Sequence, residues 1–292
     1  MRLNPFNPGS VNVGRSGGGG FPGGGAGGVG CGTQVLAALG YFIFGADPMQ
    51  TIGMVEGAQQ SLPAEQQGAP AEPTGGQSAE EVCGVNPYSM ETCNALGSLN
   101  QTWEPVFAQA GIEFRQPRLH FIEGGGVNTG CGGASSAMGP FYCPADQTIY
   151  IDTAFYDQLN RQLGAGPGDF ARYYVIAHEY GHHVQTITGV SDSIRSAQNQ
   201  NPRQANQLQV LMELQADCYA GVWAGKNRNA IEPGDFEEGM QAASAIGDDA
   251  LTGGRGNPES FTHGTSAQRM QALRLGLESG DDRQCDRIVN VG

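Results

Sequence analysis

Lysine is almost absent from this chain. Lys226 is the only lysine among 292 residues, and 29 acidic residues against 15 basic ones give a formal net charge of −14. A charge of this sign repels a phosphate backbone, and no lysine-rich patch is present to overcome the repulsion. The sequence therefore predicts no nucleic-acid partner.

Closely spaced cysteines are missing as well. No two of the seven cysteines form a C-x-x-C pair, the spacing typical of thiolate metal sites. Isolated cysteines favour disulfide bonds, which persist in oxidising compartments. We therefore expect the folded part of the chain to lie outside the reducing cytoplasm.

Charged residues are missing between Gly17 and Ala46. Residues 1–28 form an amino-terminal segment whose later part is too rich in glycine to build a packed core. Residues 29–46 are apolar enough to predict a membrane anchor. A spanning helix needs about 20 apolar residues, so a buried or interfacial helix is the alternative.

The charges that flank the predicted anchor suggest its orientation. Arg2 and Arg15 precede it, and Asp47 follows it. By the positive-inside rule, the amino terminus would stay in the cytoplasm and the chain after the anchor would be exported. This single-pass orientation agrees with the disulfide prediction.

The rest of the chain divides into a linker and a folded domain. Residues 47–81 are rich in Gln, Ala, Pro, Gly and Glu, a composition typical of a solvated linker. Residues 82–292 contain β-forming stretches at 118–123 and 141–152, together with helical patterns such as 94–110, where Pro105 predicts a kink or boundary. We expect one α+β domain with a small sheet.

The catalytic chemistry is concentrated in one predicted helix, residues 170–187. It contains His178 and His182, whose imidazoles would project from one helix face about a turn apart and could share a zinc ion. Glu179 follows the first histidine, which is the position of the general base in an H-E-x-x-H site. We therefore expect hydrolysis by a zinc-activated water with Glu179 as the base.

A second predicted helix, residues 203–225, supplies two carboxylates. Glu213 is the expected third ligand, because three protein ligands leave the fourth zinc position open for catalysis. Asp217, one turn later, could accept the outer N–H of a ligand histidine. The alternative for both residues is a solvated acidic face. The sequence thus predicts one zinc ion per chain.

His263 is the remaining catalytic candidate. It precedes a predicted helix that runs to Leu277, and a ring at such a junction could stabilise the oxyanion of the tetrahedral intermediate. The alternative is a hydrogen-bonding role at the helix start or in the core. His183 is rotated by about 100° from His182 around its helix, and His120 has no acidic partner nearby in sequence, so neither is assigned a metal role.

Several of these motifs together resemble the bacterial neutral zinc metallopeptidase family. The segments that carry the resemblance are residues 131–143, 146–152, 178–185, 213–224, 246–249 and 263–269. The resemblance implies a zincin-like fold with zinc on His178, His182 and Glu213 and with Glu179 as the base. It also implies peptide or protein substrates and a domain in the bacterial periplasm or at the cell surface.

The cysteines of the folded domain form three expected pairs by position. These are Cys131 with Cys143, Cys218 with Cys285, and Cys83 with Cys93, which leaves Cys31 in the predicted anchor. Sequence spacing does not fix connectivity, so the three pairings are hypotheses.

The motifs predict a zinc-dependent metallopeptidase that hydrolyses peptide bonds and contacts the membrane through its amino-terminal segment. The main alternative is a membrane-anchored zinc-binding scaffold or regulatory protein without turnover. The intact set of ligands and base favours the enzyme. A closed structural zinc site is disfavoured, because such sites generally use four Cys or His ligands.

Overall fold

The computed structural model describes residues 1–16, 77–162 and 168–290. The predicted anchor, residues 29–46, lies outside the described residues, as does the predicted linker up to residue 76. Within the described ranges, no helix is both long enough and apolar enough to cross a membrane.

The described residues contain both helices and strands, so the α+β prediction is confirmed. The α-helices are α1 (Ala79–Cys83), α2 (Pro87–Ala110), α3 (Ala154–Gln162), α4 (Asp169–Ile187), α5 (Val190–Gln200), α6 (Ala205–Lys226), α7 (Asp235–Ala245), α8 (Asp248–Leu251), α9 (Ser266–Ser279) and α10 (Asp282–Val289). The strands are β1 (Asn12–Ser16), β2 (Arg118–Ile122), β3 (Gly126–Thr129), β4 (Gly132–Ser135), β5 (Phe141–Cys143) and β6 (Thr148–Ile151).

Within the described ranges, the main sheet has four strands in the order β1-β2-β6-β5. β2 pairs in parallel with both β1 and β6, whereas β5 pairs antiparallel with β6 at the end of the sheet. Side chains alternate across a strand, so Leu119 and Phe121 of β2 face the helical core while Ile122 joins a smaller cluster on the other side. β3 and β4 form a separate antiparallel hairpin.

The amino-terminal residues belong to this fold. β1 pairs with β2 over five positions, and the buried Arg15 donates to Val82 O at 3.0 Å and to Ser89 Oγ at 2.8 Å. Arg15 also forms an ion pair with Glu123. The domain boundary predicted near Val82 did not include this strand, which is short and is stabilised by partners distant in sequence.

Two helix contacts position the residues predicted to bind the metal. α4 crosses α6 at Gly181, where a Cβ atom would lie 2.8 Å from Ala216 Cα. α9 runs beside α6 in the same direction, since Gly221 meets Leu273 and Gly225 meets Leu277. Glycines at these positions let the helix backbones approach more closely than side chains would allow.

Three disulfides brace the domain. They join Cys83 to Cys93, Cys131 to Cys143, and Cys218 to Cys285, which are the three pairs expected from sequence position. The third bond ties α10 to α6, the helix that carries Glu213 and Asp217.

Candidate metal centre

The structure brings together two histidines from α4 and a glutamate from α6. His178 Nε2 lies 3.1 Å from Glu213 Oε2, and His182 Nε2 lies 3.5 Å from the same oxygen. One possible ligand atom from each of the three residues lies within 4.8 Å of the other two. His178 and Glu213 are 35 positions apart in sequence, and the α4–α6 crossing at Gly181 brings them together.

These separations fit a zinc ion. Tetrahedral ligand atoms about 2.0–2.1 Å from zinc lie about 3.3–3.4 Å from one another, and the two separations to the Glu213 oxygen fall on either side of that value. Two imidazoles and one carboxylate are also a donor set that zinc accepts. With three protein ligands, the fourth position would be open to water or substrate.

Hydrogen bonds to the outer ring nitrogens direct both imidazoles toward a common point. His178 Nδ1 lies 2.8 Å from Asp217 Oδ1, and His182 Nδ1 lies 2.9 Å from Gln185 Oε1. The Gln185 amide nitrogen donates to Met212 O, so its oxygen must be the acceptor for His182. Each ring therefore carries its proton on Nδ1 and presents the Nε2 lone pair to the metal.

The carboxylate of Glu213 is held in the same way. Gln209, one turn earlier on α6, donates from Nε2 to Glu213 Oε1 at 2.9 Å, while Oε2 faces the histidines. Neither Gln209 nor Gln185 was predicted from sequence as a residue that orients a ligand. Their signal is the spacing of three or four residues from a ligand on the same helix, which is weak because glutamine is common on helix surfaces.

Asp217 is completely buried and occupies the position expected of it. Besides His178, it accepts hydrogen bonds from the Tyr174 hydroxyl at 2.6 Å and from Arg269. Burial alone would raise the pKa of Asp217, but the positive charge of Arg269 and the hydrogen bonds from His178 and Arg269 outweigh burial and lower the pKa to about 2. The carboxylate therefore stays ionised and remains a hydrogen-bond acceptor.

Glu179 lies next to His178 on α4, and its side chain is buried. Burial raises the pKa of Glu179, while the neighbouring His178 and His182 act in the opposite direction. Glu179 does not belong to the group of residues whose atoms could hold a metal. Its position and burial suit a group that exchanges protons beside the metal.

His263 does not join the metal-binding group but is held in a defined orientation. Its Nδ1 lies 3.0 Å from Asp248 Oδ1, and Asp248 Oδ2 accepts the backbone N–H groups of residues 262, 263 and 264. Among the described residues, His263 Nε2 is buried without a hydrogen-bond partner. The adjacent Gly264 packs against Val210 and Leu214 of α6, which places this loop at the level of Glu213.

The other two histidines have structural environments. His183 Nε2 donates to Arg115 O at 2.6 Å, and the Tyr142 hydroxyl donates to Nδ1 at 3.0 Å. Burial lowers the pKa of His183 to about 4, so the ring is neutral at neutral pH. The His120 ring packs at a tilt against Tyr150 in the main sheet, and His120 is not a member of the candidate metal-binding group.

Comparison with known proteins identifies the family of this chain. A family described as "Putative neutral zinc metallopeptidase" matches residues 7–288. The chain belongs to this family. The resemblance noted in the sequence is thereby confirmed, and the match includes β1 at the amino terminus as well as both helices of the metal centre.

Relatives from distant bacteria share most of this family region. The chain is 50% identical over 198 residues to "Uncharacterized protein YpfJ" of Escherichia coli (strain K12), covering 65% of this chain and 68% of the relative. It is 43% identical over 204 residues to "Uncharacterized protein Rv2575" of Mycobacterium tuberculosis, covering 65% of this chain and 67% of the relative. No solved structure matches the chain. The family description implies zinc and peptide-bond chemistry, and the relatives' names add no activity.

Proposed function

We propose that this family member is an active zinc-dependent metallopeptidase of zincin-like fold, with one zinc ion per chain held by His178, His182 and Glu213. The observation that carries the proposal is the convergence of their three ligand atoms, with both histidine nitrogens at separations from the Glu213 oxygen that fit tetrahedral zinc. A three-ligand site with an open position suits hydrolysis better than a structural role.

The residues around the metal centre have distinct roles in the proposed reaction. When bound, zinc would supply Lewis-acid activation of a water molecule and of the scissile carbonyl. Glu179 takes a proton from the attacking water and later gives it to the leaving amine, for which its buried position beside His178 is suited. Asp217 and Gln185 hold the two histidine rings in the tautomer that leaves Nε2 free.

His263 is proposed to stabilise the negative charge that develops on the carbonyl oxygen. Its Nε2 is free of hydrogen bonds within the described part of the chain, and Asp248 fixes the ring through Nδ1. The packing of Gly264 against Leu214 places this group beside the helix turn that carries Glu213.

The substrate is proposed to bind as an extended peptide along β5. Among the described strands of the main sheet, β6 is paired on both sides while β5 ends the sheet. An end strand can pair with an added strand through its backbone groups. The Tyr142 hydroxyl bonds to His183, the neighbour of ligand His182, so this edge adjoins the metal centre.

An extracytoplasmic location is proposed for the domain. Its three disulfides support this, because such bonds persist in oxidising compartments. Membrane attachment through residues 29–46 stays a prediction from sequence.

The test compares wild type with Glu179→Gln in the full chain, using zinc analysis and hydrolysis of a peptide library. We expect one zinc per chain in both proteins and a loss of hydrolysis of at least about 100-fold in the variant. Glu278→Gln, an exposed change on α9, serves as the control and should leave both properties unchanged. Hydrolysis that survives in Glu179→Gln would refute the role of Glu179. Zinc binding without hydrolysis by wild type would favour the non-catalytic alternative.

A further inference from the structure

Arg269 is a buried arginine that reaches the metal centre from α9. Its side chain is 2% exposed, and it donates from Nε to Asp217 Oδ2 at 2.8 Å and from Nη2 to Asp217 Oδ1 at 2.9 Å. This two-point contact between a guanidinium and a carboxylate fixes the direction of both groups. From sequence, Arg269 was recognised only as the last residue of the family-like segment 263–269.

Further contacts of the Arg269 guanidinium fix its orientation. Nη1 donates to Ile246 O at 3.2 Å, and Nη2 donates to the Tyr174 hydroxyl at 3.2 Å. Nη2 also lies 3.4 Å from His178 Nδ1. The guanidinium therefore sits behind the ligand histidine, joined to α4 and to the chain between α7 and α8 as well as to α6.

Both carboxylate oxygens of Asp217 accept hydrogen bonds. Oδ1 accepts hydrogen bonds from Tyr174, His178 and Arg269, and Oδ2 accepts one from Arg269. Asp217 lies one helical turn after Glu213 on the same helix. The Asp217 carboxylate is therefore fixed on the Nδ1 side of His178, across the ring from the Nε2 that faces Glu213.

We infer that Arg269 is a positioning residue of the metal centre, which acts through Asp217. By holding both carboxylate oxygens, it keeps Oδ1 as the acceptor of the His178 Nδ1 proton. The buried ion pair is costly to separate, because loss of either partner leaves an uncompensated charge in the core. This inference rests on the proposed zinc site but does not depend on turnover.

Zinc affinity measured on the full chain tests this role. We expect Arg269→Gln to weaken zinc binding about 10–100-fold, the usual effect of disturbing the partner of a ligand histidine. Arg269→Lys should give an intermediate loss, because one ammonium group cannot hold both oxygens in the planar two-point geometry. Arg274→Gln, an exposed change on the same helix, is the matched control and should bind zinc as wild type does.

A double-mutant cycle separates this role from general support of the fold. Asp217→Asn alone should weaken zinc binding, and adding Arg269→Gln to it should change the affinity by no more than about twofold, because the arginine acts through Asp217. Additive effects would overturn the inference, as would wild-type affinity in a folded Arg269→Gln variant. If that variant does not fold, Arg269→Lys takes its place in the same cycle.

The outcome for wild type keeps the two proposals distinct. Zinc binding without hydrolysis would refute only the peptidase proposal, and the cycle could still be measured. A wild-type chain that does not bind zinc would overturn the metal site and, with it, the role of Arg269.

Discussion

Substitution of Gly181 by alanine should weaken zinc binding without unfolding the protein. Gly181 lies between the two ligand histidines on α4 and faces Ala216, which lies between Glu213 and Asp217 on α6. The added Cβ would lie 2.8 Å from Ala216 Cα and 2.9 Å from Ala216 O. Backbone atoms cannot rotate away as a flexible side chain would, so the two helices must separate.

The size of that separation determines the expected effect. Carbon atoms pack at about 3.5–4.0 Å, so the crossing must widen by about 0.7 Å or more. Metal sites tolerate deviations of only about 0.2 Å, so Glu213 Oε2 would no longer lie within bonding reach of a metal held by both histidines. We expect zinc affinity to fall by about 10–100-fold or more. The free energy of unfolding without zinc should fall by only about 1 kcal/mol, because an overpacking cost of about 1–3 kcal/mol is partly offset by the better helix propensity of alanine.

Competition with a chromophoric zinc chelator measures the affinity, and denaturant unfolding of the metal-free proteins measures the stability. Gly133→Ala in β4 is the control, because a Cβ there meets no atom within 4 Å. The reasoning is refuted if Gly181→Ala folds and binds zinc within about twofold of wild type, a difference of only about 0.4 kcal/mol. The helix crossing would then not set the spacing of the ligands.

Two further predictions concern stability. Replacing Cys218 and Cys285 by alanine opens a loop of sequence separation 67 and should lower the free energy of unfolding by about 4 kcal/mol in denaturant titrations; an unchanged value would show that the bond does not constrain the unfolded chain. Burial and then the charge of Arg118 lower the pKa of His120 to about 4 from an ordinary value of 6.5. As pH falls, His120 therefore becomes protonated in the unfolded chain before it does so in the folded protein. The free energy of unfolding should fall by up to about 3 kcal/mol as pH drops from 6.5 to 4. His120→Phe, which keeps a ring against Tyr150, should reduce that fall, and identical pH profiles of unfolding would contradict the assignment.

The candidate ligand set could be assembled from sequence because the spacing of its members is largely local. His178 and His182 are placed by one helical turn, and Glu213 and Asp217 by another, so only the crossing of two helices remained to be inferred. Two of the residues that orient these groups were missed for the opposite reason. Arg269 and Asp248 act across tertiary contacts, and their pairing with Asp217 and His263 has no fixed spacing in the chain.

Tertiary contacts also limited the prediction of secondary structure from sequence. Pro105 predicted a kink or boundary in the first long helix, yet α2 begins at Pro87 and continues through Pro105 to Ala110. Packing of buried residues on both sides of the proline, Leu99 and Phe107 among them, outweighs its local preference. The helix start is understandable from sequence, because proline suits the first turn and Asn86 caps it by accepting the Ser89 N–H.

The pairing of β1 with β2 restricts how the chain can lie relative to a membrane. Neighbouring strands are about 4.8 Å apart, whereas the apolar core of a bilayer is about 30 Å thick, so the two strands must be on one side. The orientation inferred from sequence, with the amino terminus and the folded domain on opposite sides of a membrane, would require β1 to separate from β2. Arg15, one of the charges behind that inference, is instead buried against Val82 and Ser89. The compartment that contains the amino-terminal strand is also the compartment of the metal centre.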